Sequence, residues 1–342
     1  MLCRLSFKKI PIMLMENNFR SNESEIGPPI LVEKKSKGKE SRKRKWMNLD
    51  EFCAARGFRQ EPQAWNPPVP THPDYVENIY EYHEVSGQLI EGARSTDWIG
   101  VELEIVPTID RYELAEKIYL AGSGKLFLSE DRSLKYATDR YGYPVGSSDG
   151  FEIVTDYGDL SQVIHVCENV SKTIEGKAVS EETECCGLHV HLSRNEAPQL
   201  NVGRMVIFWN SKKNKDFLNL FTRRSDSNFA KSKDVEGKSA FDLDLSWGDR
   251  YELVNLTNPR TLELRGFRGA TDKETLLACI ELASATWSFA RDNNVADTEL
   301  THERFIRWLV DQPTSKTYYI WQYLWKEKPD YLPASIRVAM EE

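Results

Sequence analysis

The chain has 342 residues, 40% of them hydrophobic, with nine Trp, fourteen Tyr and fourteen Phe, enough to fill one large core or two ordinary ones. Its net charge of −8, with 29% charged residues, excludes the basic balance of a general nucleic-acid binder. No apolar run nears the roughly 20 residues that span a bilayer.

Lys8 and Lys9 precede a short apolar run from Ile10 to Met15, but Pro11 breaks it and no small-residue cleavage site follows, so no secretion signal is expected. Six irregularly spaced cysteines do not make a disulfide framework, and a reduced intracellular protein is the default. Residues 1–75 differ in texture from the rest. Lys34, Lys35, Lys37, Lys39, Arg42, Lys43, Arg44 and Lys45 form a basic run of the kind that stays solvated, and a largely disordered extension is expected. It is also the one segment whose charge would suit nucleic acid. A short helix is expected over Asn48 to Gly57, followed by the proline-broken stretch Pro62 to Pro73.

From Ile99 strands and helices alternate. Ile99 to Val106 has the period of a half-buried strand. Asp110 to Ala121 reads as a helix capped by Asp110, with Gly122 beyond its end. Phe151 to Val154 is a short strand, Asp159 to Ile174 a helix, Gly187 to Ser193 a strand and Val202 to Phe221 one long helix. Tyr251 to Leu256 and Thr261 to Phe267 read as two strands joined at Asn258-Pro259-Arg260, and Thr271 to Arg291 as a helix. His302 to Trp325 adds further helix. Strands arriving as hairpins, without one helix inserted per strand, predict an α+β fold: helices packed on one side of a mostly antiparallel sheet. The expected catalytic domain covers 76–295, with a helical segment at 296–342 packed on it.

Four strands share one feature. In Val101-Glu102-Leu103-Glu104-Ile105 the aliphatic side chains take one face and two glutamates the other. Leu188-His189-Val190-His191-Leu192 does the same with two histidines, Leu262-Glu263-Leu264-Arg265 with a glutamate and an arginine, and Phe151-Glu152-Ile153 with one glutamate. Any one of these could be the wet side of a half-covered sheet. Together they are restricted to Glu, His and Arg, where a solvent face would mix Thr, Ser, Lys and Gln. Carboxylates within about 4 Å repel by roughly 4 kcal/mol at an effective dielectric of 20, so assembling them calls for protons or a cation. Oxygen donors with an imidazole suit Mg²⁺ or Mn²⁺ better than structural zinc.

Two other signals fail on their spacing. Gly122-Ser123-Gly124-Lys125 lacks the first glycine of a phosphate-binding loop and has Leu126 where Ser or Thr is needed. Asp242-Leu243-Asp244, with Ser246 and Gly248, has its glycine one place late for a calcium loop and no glutamate at the twelfth position. Arg223-Arg224, with Asn228 and Lys231, reads equally as a phosphate-binding loop or as a solvated helix end.

Cys186-Gly187-Leu188-His189-Val190-His191-Leu192-Ser193 resembles the Gly-x-His-x-His-x-Ser strand of glutamine synthetase. Gly100-Val101-Glu102-Leu103-Glu104 resembles its Glu-x-Glu strand, and Leu262 to Gly269 its Glu-x-Arg strand. A closer resemblance is to the amidoligase family of bacteria, fungi and phages. It is carried by Asp131-Arg132-Ser133-Leu134, Gly150 to Val154 and Arg250 to Asn255, in order, over roughly Ile99 to Arg291. The resemblance implies a curved sheet of glutamine-synthetase type. It also implies an ATP-dependent carboxylate–amine ligase that works through an acyl phosphate. Small-molecule or peptide carboxylates and amines would be its substrates, and the cytoplasm, of the host for a viral protein, its location. It implies that Glu102, Glu104, Glu152, His189 and Glu263 hold divalent metals, Mg²⁺ or Mn²⁺, and that Arg265 faces the transferring phosphate. His191 and Asp131 would join Arg265 in catalysis. Arg250, Asn255, Arg223 and Arg268 would lie near nucleotide. No second partner for Glu152 is evident in the sequence.

Arg265 and Glu263 are two residues apart on one strand, roughly 6.5–7 Å at the backbone, a poor distance for a direct ion pair and a reason to expect Arg265 to serve phosphate instead. Two rival readings remain. One is a His-hydrophobic-His endonuclease, with His189 and His191 on one metal and a tyrosine nucleophile from Tyr318, Tyr319 or Tyr323. It leaves the Glu-x-Glu and Glu-x-Arg strands without a role. The other is a non-catalytic binding or virion module, against which stands the retention of every clustered charge.

Overall fold

The computed structural model describes residues 97–341, apart from 135–136, 140, 147–148, 195–196, 225–229 and 246–248, together with two short strands, β1 (Ile30–Val32) and β2 (Lys45–Met47). The chain divides into two units, Met1–Trp65 with Ala334–Glu342, and Asn66–Pro333. In the first, β1 and β2 pair antiparallel with Ile30 opposite Met47, and a helix spans Ala334–Glu341. The rest of the basic run, the expected helix at 48–57 and the proline-broken stretch lie outside the described residues. So do parts of the loops at 136–148 and 225–239.

The second unit is built on β3 (Ile99–Pro107). It is followed by α1 (Arg111–Gly122), which starts where the Asp110 carboxylate accepts the amides of Tyr112 and Glu113, at 3.1 and 2.9 Å. Ser123 and Gly124 then take left-handed backbone angles, φ 51° and 73°, and the chain turns into β4 (Leu126–Ser129). The Gly-Ser-Gly-Lys segment is thus a helix-to-strand turn. β5 (Phe151–Thr155) leads to α2 (Leu160–Ile174), whose first turn is closed by a reciprocal Asp159–Gln162 capping box. The short β6 (Ala178–Val179) and β7 (Gly187–Ser193) follow.

The expected single helix from Val202 to Phe221 is in fact two, α3 (Gln199–Asn210) and α4 (Lys215–Thr222). Ser211 is extended, and the fully buried Asn214 turns its amide onto the carbonyls of Phe208 and Leu300, so a tertiary contact replaces a helical turn. β8 is only Val254–Asn255, shorter than expected, and β9 runs Thr261–Arg268. α5 (Lys273–Arg291) is capped by Asp272. The expected helix from His302 to Trp325 is split into α6 (His302–Val310) and α7 (Tyr318–Glu327) around Pro313.

Strand order in the sheet is β4-β5-β3-β7-β9-β8, with β6 paired to β3, and every pairing is antiparallel. The fold class is α+β. The aliphatic residues of the alternating strands, among them Val101, Leu103, Ile153, Leu188, Val190, Leu262 and Leu264, are buried. α2 packs along β3 and α5 along β7. Phe208, Phe217, Phe221, Phe289, Phe305 and Trp308 tie α3, α4, α5 and α6 together at ring separations of 5.4–6.1 Å. Between the pairs Val190–Leu264 and Leu188–Phe267, β9 advances three residues to two on β7. That bulge turns Phe267 to the aliphatic side, where it meets Trp209 of α3 edge-on at 5.4 Å. Among the described residues no helix is long and apolar enough to cross a membrane.

Candidate metal centre

Antiparallel register decides which charges meet, because residues directly opposite share a face. Glu104 is opposite Glu152, which is opposite Ser129 on the other side. Glu102 is opposite His189, and His191 is opposite Glu263, which is opposite Asn255. Four strands therefore deliver their charged side chains to one area. Asp131, two residues beyond β4, joins them.

Three overlapping groups result: Glu102, His191 and Glu263; Glu102, Glu152 and His189; and Glu104, Asp131 and Glu152. Within each, one ligand atom per residue lies within 4.8 Å of the others. Glu102 is shared by the first two groups and Glu152 by the last two, so the groups form a chain. The missing partners of Glu152 are His189, Glu102, Glu104 and Asp131. Sequence could not supply them because they come from three other segments.

His189 Nδ1 stands 3.1 Å from Glu102 and 3.5 Å from Glu263, and its Nε2 4.0 Å from Glu104. His191 Nε2 lies 2.9 Å from Glu102 Oε1, but off the ring N–H axis. Neither ring nitrogen of His191 makes an aligned hydrogen bond among the described residues, although both are buried. Burial alone would raise the pKa of Glu102, yet His191 and His189 outweigh it and hold that carboxyl well below its usual range. Burial would likewise lower His191, but Glu102 raises it to about 9. Glu152 is pushed well above the usual carboxylate range, first by burial and then by Glu102, Glu104 and Asp131. Burial raises Glu104 too, against the pull of His189. Both shifts, of His191 and of Glu152, favour the protonated form on this face.

A divalent cation fits the same places. The donors are mostly carboxylate oxygens with one imidazole in each of two groups, the chemistry that suits Mg²⁺ or Mn²⁺. His191 Nδ1 has no aligned hydrogen-bond partner among the described residues, and Glu152 bears a charge its neighbours disfavour.

The expectation that Arg265 and Glu263 are too far apart to pair is corrected: their side chains are in direct contact, Arg265 Nη1 to Glu263 Oε1. Strand spacing fixes the backbone, but an arginine is long enough to lean back over two residues. The other Glu263 oxygen accepts from Asn255 Nδ2 at 2.6 Å, so Asn255 orients a ligand carboxylate. The Arg265 guanidinium also lies 5.9 Å from the centroid of Tyr251, and the exposed Arg250 lies 5.3 Å from the same ring. Arg268 donates to the Thr183 carbonyl at 3.3 Å, and Arg223 to the carbonyls of Arg268 and Gly269 at 3.0 and 2.9 Å. Those two arginines hold the end of β9, outside the carboxylate groups.

Three features of the site were not anticipated from sequence. Arg224, rather than Arg223, flanks the cluster: it donates to the Cys186 carbonyl at 2.7 Å and interacts electrostatically with Glu104. The Gly187 amide donates to Glu104 Oε2 at 2.5 Å. A Cβ on Gly187 would stand 3.1 Å from His189 Nε2, so the glycine leaves room for the imidazole. Tyr157 covers the opening at Gly100, edge-on to His191 at 6.4 Å between ring centres. Two sequence signals touch these features: the Arg223-Arg224 pair at the first, and the Gly-x-His pattern at Gly187.

No family model matches the chain, and no curated protein matches it. Among solved structures it is similar to one described as the crystal structure of a novel glutamine synthase homolog, at 11% identity over 89% of this chain and 77% of that one, with a TM-score of 0.29. It is similar also to Plasmodium falciparum glutamine synthetase, solved by cryo-EM, at 13% identity over 83% and 67%, with a TM-score of 0.28.

Proposed function

We propose that this protein is a divalent-metal-dependent, ATP-using carboxylate–amine ligase. The observation that carries the reading is the chain of three ligand groups on one sheet face, with the Arg265 guanidinium at its end. Of the five carboxylates gathered there, Glu104 and Glu152 have their charge disfavoured by burial, a cost that stability does not explain. They are explained by cations that offset phosphate charge.

Glu102, Glu104, Asp131, Glu152, Glu263, His189 and His191 would hold the metal ions, which would supply charge neutralisation at a transferring phosphoryl group. The protein's own part is positioning. Asn255 and Arg265 fix the Glu263 carboxylate from two sides. The guanidinium of Arg265, polarised but not consumed by that pairing, is the planar donor for phosphate oxygens. Arg224 adds positive charge at the Glu104 end. The motifs that resemble the amidoligase family name the reaction: a carboxylate activated as its acyl phosphate, and an amine displacing phosphate to give an amide.

The histidines weigh against the endonuclease. Among the described residues no ligand group contains both His189 and His191, whereas that chemistry puts both on one metal.

The test is nucleotide turnover by purified protein with Mg²⁺ or Mn²⁺ and mixtures of amino acids, polyamines and short peptides. ADP and phosphate released in step with amide formation are expected. AMP and pyrophosphate as the stoichiometric products would contradict the mechanism.

A further inference from the structure

The turn that enters β7 carries two adjacent cysteines for which the ligase chemistry has no use. Cys186 is fully buried against Val106, Leu134 and Ala137, and the half-buried Cys185 packs on that cluster. The turn is held from several directions. Thr183 Oγ1 accepts the Cys186 amide at 2.9 Å and donates to the Ser180 carbonyl at 2.8 Å. Arg224 reaches the carbonyls of Cys186 and Cys185, at 2.7 and 3.5 Å. The next amide, of Gly187, is the one that donates to Glu104. The backbone that follows the cysteine pair thus holds the Glu104 carboxylate of one ligand group. Hydrogen bonding with the Cys186 thiol, and with Thr183, holds the Cys185 thiol down to about 7 against burial. A thiol in that range is substantially ionised at neutral pH and reactive.

We propose that Cys185 and Cys186 are an oxidisable dithiol whose closure to a disulfide withdraws the Gly187 amide from Glu104 and weakens cation binding in the group of Glu104, Asp131 and Glu152. The part about the cation rests on reading Glu104 as a metal ligand; the part about the amide does not. The oxidant is a low-molecular-weight disulfide. The Cys185 thiolate attacks one of its sulfurs, forming a mixed disulfide and expelling one thiolate. Cys186 gives its proton to solvent and attacks the Cys185 sulfur, expelling the second thiolate. Two protein thiols are oxidised and one small disulfide is reduced to two thiols. Consecutive Cα atoms are about 3.8 Å apart across a trans peptide, shorter than the roughly 4.4–6.8 Å of relaxed disulfides, so closure must move the 185–186 peptide. That peptide carries the Cys185 carbonyl, which accepts from Arg224, and the Cys186 amide, which donates to Thr183, and the next peptide holds the second Arg224 contact and the Gly187 amide. A disulfide formed under such strain is readily reduced again, as a switch requires.

The experiment treats reduced full-length protein with oxidised glutathione and follows three readouts. Peptide mapping should find the 185–186 peptide lighter by two hydrogens. The Gly187 amide should exchange with solvent at least about tenfold faster than in the reduced protein, the scale of losing one hydrogen bond to a charged acceptor. Mn²⁺ affinity by titration calorimetry should fall by about tenfold or more and return with dithiothreitol. Cys185→Ser should bind Mn²⁺ as the reduced protein does and ignore the oxidant. The proposal is overturned if Cys185 pairs with Cys3 or Cys53 instead, if it stays as a glutathione adduct, or if the closed disulfide leaves Gly187 exchange unchanged. Faster exchange without any Mn²⁺ binding by the reduced protein would instead remove Glu104 from the metal site and with it the functional consequence.

Discussion

The two faces of the sheet are made by alternate residues of the same strands, yet they answer to opposite demands. Leu262 and Leu264 of β9 are fully buried in the aliphatic core, while Glu263 and Arg265 between and beyond them stand in the charged cluster. The aliphatic face gains free energy from every group it removes from water. The charged face loses it, holding five carboxylates so close that Glu152 is driven well above its normal range and His191 to about 9. What the comparison teaches is that period-two alternation lets one segment carry both, because a strand's stability and its chemistry point in opposite directions.

Neighbouring substitutions on β9 separate the two faces most sharply. Leu264→Ala should lower stability by about 2–5 kcal/mol, read from the denaturant midpoint, while turnover per folded molecule stays near normal. Arg265→Lys should do the reverse. Its turnover should drop by about 10²-fold, the scale of one lost transition-state donor, with ATP binding and the unfolding midpoint little changed. If the whole defect of Arg265→Lys is lost stability, its pairing with Glu263 is structural and the phosphate role fails.

The charged face also sets a pH dependence. His191 titrates near 6.5 when unfolded and at about 9 when folded, so its contribution to stability is complete below 6.5 and disappears as pH rises through 9. Glu152 acts in the same direction from its ordinary 4.5 upward, because its folded value is also raised. The metal-free protein should therefore lose stability on going from pH 6.5 to 9. Saturating Mn²⁺ should flatten or reverse that slope. Thermal unfolding with chelator and with Mn²⁺, across that window, reads both curves. Glu152→Gln should have a smaller effect, stabilising the metal-free protein at pH 7, because an amide has no charge for burial and the neighbouring carboxylates to disfavour. The smallest effect should come from Tyr318→Phe and Tyr319→Phe, which remove hydroxyls that phosphoryl transfer on the sheet does not require. Loss of activity in either would revive the tyrosine-nucleophile reading.

Much of this was legible in the sequence where one segment determines its own outcome. β7 falls at Gly187–Ser193 as its alternation requires, the cap at Asp110 begins α1 where expected, and α2 starts one residue after the expected Asp159, which caps it. The pairing of strands is not a property of any one of them. That Glu104 faces Glu152, and that Asp131 closes the same group, follows from register across β3, β5 and β4, and no spacing within a strand encodes it. The break between α3 and α4 was hidden for the same reason: Asn214 leaves the helix to satisfy Leu300, 86 residues away. Strand geometry sets an expected backbone distance between Glu263 and Arg265 but says nothing of how far a guanidinium leans.

Glu102, like Glu152, belongs to two of the three ligand groups, and it is also opposite His189 in the sheet, so its removal tests the metal centre directly. The decisive measurement is calorimetric titration of Mn²⁺ into the full-length chain and into Glu102→Gln, each in two buffers of different ionisation enthalpy. The wild-type protein should bind Mn²⁺ and release protons from His191 and Glu152, seen as a buffer-dependent heat, with affinity rising from pH 6.5 to 9. Glu102→Gln should lose most of that binding while unfolding at a similar temperature. Wild-type protein that takes up no divalent cation at millimolar concentration, or a Glu102→Gln titration that overlays the wild type, would contradict the account.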